Sequence, residues 1–147
     1  MSDNPVLDVR GLDVAYRVRG IERQVLRGVD LSVGRGETLG LVGESGCGKS
    51  TAALAAIRYL PRNGRVQGGV VSVAGRDVWS LSRAELRAFY SSEVGIVYQN
   101  PAAALNPSLR VGRQVAEVFE VHGSSRSDAL VRSREALEVV RIADAAS

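Results

Sequence analysis

The stretch Gly43-Glu44-Ser45-Gly46-Cys47-Gly48-Lys49-Ser50 sets a glycine, four residues and then Gly-Lys-Ser in a row. That is the spacing of a P-loop, a phosphate-gripping turn between a strand and a helix. Glycines let successive backbone N–H groups turn inward around an anion, where a β-carbon would collide. The first turn of a following helix adds N–H donors without partners and the positive end of its dipole. Lys49 supplies a compact, mobile charge for the outer phosphates, and Ser50 a small hydroxyl for Mg²⁺. Thr51 is either a further hydroxyl near the inner phosphate or a plain first-turn helix residue. Cys47 lies inside the loop as a thiol beside the phosphates or as a small filler. Among 19 basic residues Lys49 is the only lysine. A composition that uses arginine wherever a generic positive charge suffices departs from it where a point charge, rather than a planar fork, is needed.

Such a loop requires a strand before it and a helix after it. Residues 38–42, Thr-Leu-Gly-Leu-Val, form a near-continuous apolar run, which predicts a strand buried on both faces. The Ala, Leu and Ile content of residues 50–60, closed by Pro61, predicts a helix. Upstream, Leu7 and Val9, then Leu12, Val14, Tyr16 and Val18, fall at two-residue spacing with Gly11 breaking the phase, which predicts strand, turn, strand. Residues 25–33 repeat that alternation loosely. Downstream, the run 70–73 with a turn at Gly75-Arg76 predicts a hairpin, and Ser82 and Glu85 have capping-box spacing for a short helix. A second buried strand is expected at 94–97, then a loop from Tyr98 to Pro107. Val111, Val115, Val118 and Phe119 share one helical face, and a last helix is expected at 128–143.

Composition narrows the function classes. With 147 residues, 45% hydrophobic and 24% charged, the chain has ordinary globular composition and is long enough for a real core. A net charge of +3 without an aromatic-and-basic pattern gives no footing for nucleic-acid binding. Cys47 is the only cysteine, so no intramolecular disulfide can form. No apolar stretch approaches the roughly 18 residues that span a bilayer, and the first residues lack a signal-peptide pattern.

Residues 36–50, from Gly36-Glu37 through Lys49-Ser50, are similar to the Walker A block of the ATP-binding subunit of ABC transporters. Val97-Tyr98-Gln99-Asn100-Pro101 resembles the Q-loop of that family and continues into Leu105-Asn106-Pro107, Val111-Gly112 and Gln114. The Leu-Asn-Pro element resembles the branch that serves dipeptide, oligopeptide and nickel importers. The resemblance implies an α/β P-loop NTPase fold: an N-terminal antiparallel β subdomain at about 5–35, a P-loop core at about 36–100, and the start of a helical subdomain at about 101–147. It implies ATP and Mg²⁺ as cofactors, with ATP held by Tyr16, Gly43, Glu44, Ser45, Gly46, Cys47, Gly48, Lys49, Ser50 and Thr51. By position Tyr16 matches the aromatic that stacks on adenine, and a π-face suits a flat base without demanding hydrogen bonds. The alternative for Tyr16 is an amphipathic strand tyrosine. Gln99 matches the glutamine that contacts Mg²⁺ with Ser50 and senses the γ-phosphate, its alternative being a turn-forming polar residue. Asn100 stands where the branch more often has Asp, and Ala104 where it often has Ser.

The implied partners are transmembrane permease subunits, a second ATP-binding subunit in a homo- or heterodimer, and indirectly a solute-binding protein. The implied location is the cytoplasmic face of the cell membrane. An Asp-Glu pair after four apolar residues, a Leu-Ser-Gly-Gly-Gln type signature and a downstream switch histidine do not occur in these residues. His122, the only histidine, precedes the place of the signature and is expected to be an exposed helix-end residue. The resemblance therefore implies the N-terminal portion of a longer polypeptide, truncated within the helical subdomain. Its strand 38–42 would then lack parallel neighbours and expose apolar sheet edge.

Two functional classes follow. One is a transport-coupled ATPase to which Lys49 and Gln99 contribute, with this stretch by itself turning over little ATP. The other is a non-hydrolysing nucleotide-binding regulatory or pseudo-ATPase module. A third class, a small P-loop kinase or GTPase, finds no Asn-Lys-x-Asp base reader here, since that element needs a second lysine. If phosphates occupy the glycine loop, MgATP should slow maleimide labelling of Cys47, and equal labelling rates with and without MgATP would contradict this.

Overall fold

The computed structural model describes residues 5–100 and 104–142. The chain forms two compact units, Met1–Leu86 and Arg87–Ser147. In the first unit, β1 (Leu7–Val18), β2 (Ile21–Val33), β3 (Gly64–Val73) and β4 (Arg76–Asp77) form an antiparallel sheet of order β2-β1-β3-β4. Arg19 and Gly20 link β1 to β2 with φ of 52° and 80°, and Ala74 and Gly75 link β3 to β4 with φ of 49° and 81°. Two residues at positive φ match the right-handed twist of the flanking strands. The hairpin expected after 70–73 is therefore present, with Arg76 starting β4 instead of sitting in the turn.

Gly11 does not end a strand. It lies inside β1, at φ 56°, where the pairing with β2 shifts register between Val9 and Leu12. Its N–H donates to the Asp30 carboxylate at 2.7 Å, and the N–H of Gly28, also left-handed, donates to Asp13 at 2.9 Å. A bulge changes the phase of alternation as a turn does, so spacing cannot distinguish the two. The bulged strand keeps Val9, Leu12 and Val14 buried with Leu26 and Val71.

Helix α1 (Lys49–Ala56) buries Ala52, Ala55 and Ala56. It stops short of the expected residue 60 because Arg58 turns left-handed, at φ 56°. Arg58 then donates to the carbonyls of Val78 and Leu81 at 3.1 and 2.6 Å and lies over the Trp79 ring. The Trp79 indole donates back to the Ala55 carbonyl at 3.1 Å, satisfying a helix-end acceptor. Helix α2 (Arg83–Ser92) opens on the expected capping box. The Ser82 N–H donates to Glu85 at 2.7 Å, and the Glu85 N–H donates to Ser82 Oγ at 3.3 Å. Hydrogen bonding from Ser82 holds the Glu85 carboxyl below its ordinary range.

The second unit pairs α3 (Val111–Val121) with α4 (Arg126–Val139). Of the shared face, Val115 and Phe119 are half-buried, with Arg132 of α4 over the Phe119 ring, whereas Val111 and Val118 are exposed and the fully covered residue is Ala116. Buried Ser133 donates to the Gly112 carbonyl at 2.7 Å, beside buried Ala129 and Leu137. Small residues at 112, 116, 129 and 133 allow close backbone approach, a packing reason that a hydrophobicity pattern under-weights. Helix α4 starts two residues before the expected 128, because the Ser125 hydroxyl caps the Asp128 N–H at 3.2 Å. It ends at Val139, short of the expected 143, with Val140 as its C-cap and Arg141 turned left-handed at φ 60°; Pro101 lies outside the described residues.

The two expected buried strands are the main corrections. Residues 38–42 and 94–97 have no place in a sheet among the described residues. Val42 is 97% and Val97 92% exposed. An apolar run announces that a strand would be covered on both faces, but burial needs hydrogen-bonded neighbours on each side. Among the described residues no helix is long and apolar enough to cross a membrane.

One glycine tests the bulged sheet. Gly69 has φ 89°, and a β-carbon there would lie 2.4 Å from the Gly11 carbonyl oxygen. Gly69→Ala should destabilise the first unit by about 2 kcal/mol or more, since strained backbone and a hard clash coincide. Denaturant unfolding measures this, and an unchanged midpoint would contradict the packing described.

Candidate functional site

The loop expected to grip phosphate joins residues 38–42 to α1, and its backbone is one only glycine tolerates. Gly46 and Gly48 take φ of 85° and 100°. A β-carbon on Gly48 would lie 2.8 Å from Leu26 Cδ2, and one on Gly43 would lie 2.8 Å from Cys47 Sγ. The loop is thus pressed onto β2 on one side and folded on itself on the other. Gly48 is the N-cap of α1, with no side-chain cap bond, and no acidic residue stands in the first turn. The positive end of α1 is left for an anion.

Lys49 is the first residue of that helix. Its ammonium donates to the Gly43 carbonyl at 2.7 Å and the Glu44 carbonyl at 2.6 Å, and lies 3.4 Å from Cys47 Sγ. Main-chain carbonyls therefore hold the charge across the loop, and among the described residues no carboxylate neutralises it. A cavity of about 150 Å³ is lined by Val25, Gly46, Gly48, Lys49, Ser50 and Thr51. The chemistry suits the polyphosphate of a nucleotide: backbone donors, a helix N-terminus, a mobile ammonium, and the Ser50 hydroxyl for a divalent cation. Glu44, Ser45 and Cys47 are exposed on the loop.

Tyr16 reaches the same region from β1. It is half-buried, and its hydroxyl lies 3.4 Å from Thr51 Oγ1 in the first turn of α1. The structure therefore brings Tyr16 to the helix that ends the glycine loop, and places Thr51 against the tyrosine. Val25 is a lining residue that sequence reasoning missed. It sits in β2, far from the motif in the chain, and only the packing of Gly48 against Val25 and Leu26 reveals it.

Gln99 belongs to the second unit. There, with Tyr98, Asn100 and Ala104, it lines a cavity of about 370 Å³. Beyond it, Gln114 accepts from the Asn106 N–H at 2.8 Å and donates to the Asn106 and Leu109 carbonyls at 3.0 and 2.9 Å. Asn106 in turn accepts from the Ser108 N–H at 3.0 Å. One amide on α3 satisfies three backbone groups of the turn at 105–109, two of them on Asn106, which gives a structural reason for the spacing of Gln114 from Leu105-Asn106-Pro107. Arg113 and Glu120 pair bidentately on α3, and the guanidinium holds the Glu120 carboxyl below its ordinary range.

His122 is exposed at the end of α3, as expected, but it is not idle. Nδ1 lies 2.7 Å from the Val118 carbonyl and Nε2 lies 2.6 Å from the Ser91 carbonyl of α2. Two carbonyl acceptors need both ring nitrogens protonated, so these bonds raise the pKa of the imidazole, while desolvation and, less, nearby Arg132 oppose the rise.

The family model described as ABC transporter matches residues 26–147. A probable peptide ABC transporter ATP-binding protein of Sinorhizobium fredii is 41% identical over 150 residues, covering 98% of this chain and 45% of its own length. An oligopeptide transport ATP-binding protein of Bacillus subtilis is 37% identical over 139 residues, covering 93% of this chain and 39% of its own length. The chain thus spans less than half the length of these curated relatives. A solved dimeric ATP-binding cassette, in a post-hydrolysis state with ADP and Pi, matches with a TM-score of 0.74 at 22% identity. That match covers 94% of this chain and 58% of the solved one, and shows the fold.

The His122 contacts set a pH dependence. A folded-state pKa above the unfolded value gives stability that is fully present below the ordinary histidine value of about 6.5 and is lost as pH rises through the raised one. Wild type should melt higher than His122→Ala at pH 5.5, and the two should converge at alkaline pH. A gap that is constant with pH would contradict the doubly donating ring.

Proposed function

The chain belongs to the ABC transporter family, and from that premise we propose that it is the nucleotide-binding part of the energy-coupling ATPase of a peptide importer. The observation that carries the reading is the Lys49 ammonium held on the Gly43 and Glu44 carbonyls at the uncapped start of α1. The glycine loop receives the β- and γ-phosphates of ATP on backbone N–H groups, and Lys49 moves its charge from carbonyl oxygens to phosphate oxygens. Ser50 offers its hydroxyl to Mg²⁺. Bound Mg²⁺ supplies charge neutralisation across the phosphates. Tyr16 presents its ring to the adenine, and Glu44, Ser45, Cys47 and Thr51 complete the contacts along the loop. Gln99 is the residue that answers the γ-phosphate, as its position in the motif suggests.

The names of the relatives support peptides as the transported class. The working assembly in this proposal has a second ATP-binding subunit, permease subunits in the membrane, and a solute-binding protein acting through them. It sits at the cytoplasmic face of the cell membrane. The stretch by itself has no Asp-Glu pair to polarise water after an apolar run, so it binds MgATP but turns it over little.

Lys49→Ala should weaken MgATP binding by about tenfold to a hundredfold, the loss of a charge-assisted hydrogen bond of roughly 1.5–3 kcal/mol, measured by calorimetry. No heat from wild type at millimolar MgATP would sink the assignment. Steady hydrolysis by this chain alone, abolished in Lys49→Ala, would contradict the claim of low turnover.

A further inference from the structure

Tyr16 is paired across the sheet with Gly64, the first residue of β3. The Cδ1–Cε1 side of the ring occupies the space beside Gly64: a β-carbon at 64 would sit 2.8 Å from Tyr16 Cε1, 3.2 Å from Cδ1 and 3.3 Å from Leu60 Cβ. At the far end of the ring, the hydroxyl meets Thr51 Oγ1 at 3.4 Å. The ring is therefore fixed at two places, by the missing side chain of Gly64 along Cδ1 and Cε1 and by the first turn of α1 at its hydroxyl. The backbone at Gly64 is not left-handed, so conformation alone does not demand glycine there. The close approach of the ring does.

We propose that Gly64 is a positioning residue for nucleotide binding: by lacking a β-carbon it lets the Tyr16 ring settle against β3, at the setting where its face receives the base of a nucleotide whose phosphates lie in the Gly43–Thr51 loop. The proposal rests on the nucleotide-binding reading above and assigns a base-specific role outside the glycine loop. An alanine at 64 pushes a rigid ring that turns about only two side-chain bonds, so the ring swings and loses its contact with Thr51. The strand stays paired, because alanine keeps the backbone N–H and carbonyl that glycine used. Its effect falls on the base half of the ligand and spares the phosphate half.

The test titrates the full chain with MgATP and, separately, with magnesium tripolyphosphate, which carries the phosphates without base or sugar. Gly64→Ala should weaken MgATP binding by about fivefold to tenfold, part of the loss expected when a base–aromatic stack is removed. It should leave tripolyphosphate affinity within about twofold, which also reports that the loop is folded. In a Tyr16→Ala background, Gly64→Ala should cost nothing further for MgATP, because the ring it displaces is gone. Equal weakening of both ligands, no weakening of MgATP, or the same loss with and without the Tyr16 ring would each overturn the proposal. If wild type binds neither ligand, the nucleotide-binding reading itself fails. If wild type binds tripolyphosphate and ATP equally, the phosphate reading stands and the base platform falls.

Discussion

Helix α1 begins without a side-chain cap, and much of the first unit is arranged around that unanswered end. A helix start ordinarily finds a serine, threonine or aspartate to accept its first N–H groups. Here the N-cap is Gly48 in a left-handed conformation, where an added β-carbon would lie 2.8 Å from Leu26 Cδ2. The same approach that excludes a side chain anchors the loop to β2. Positive potential is concentrated rather than dissipated, and Lys49 adds to it from the first helical position while main-chain carbonyls keep its ammonium over the loop.

The sheet serves this loop from two sides. Strand β2 supplies the apolar floor through Val25 and Leu26, and β1 delivers Tyr16 to the first turn of α1. Bulges at Gly11 and Gly28, each tied by an aspartate, let β1 and β2 stay paired while their register shifts. Such shifts redirect side chains within a strand, so the position of Tyr16 depends on paired bulges as well as on its place in the sequence. Arg58, Trp79 and the carbonyls of Val78, Ala55 and Leu81 then tie the far end of α1 to the turn that follows the sheet.

In the second unit polar side chains do the ordering. Gln114 satisfies three backbone groups of the turn at 105–109, Ser133 joins α4 to α3, and His122 ties the end of α3 to the Ser91 carbonyl. A segment whose exposed residues include Val118, Val121 and Val139 gains its local definition from hydrogen bonds to backbone, where apolar cover is thin.

Local chemistry was legible in the chain. The glycine loop, its lone lysine, the capping box at Ser82 and Glu85, the hairpin after 70–73 and the helix cores all follow from residue types at short spacing, because turns, caps and amphipathic periods are set by neighbours within a few residues. Other features required distant partners. Whether Gly11 marks a turn or a bulge depends on Asp30, nineteen positions away. Where α1 stops depends on the carbonyls of Val78 and Leu81, and which face of α3 is covered depends on Ser133 and Ala129 of α4. The apolar runs at 38–42 and 94–97 state a demand for strand neighbours and cannot supply them. The amino-acid order alone placed the glycines, Lys49 and Ser50 at the spacing of a phosphate-gripping loop. Tertiary packing decided that Val25 lines that grip, that Thr51 faces a tyrosine and that Gly64 makes room for its ring, because each contact joins segments whose separation along the chain leaves no trace in local pattern.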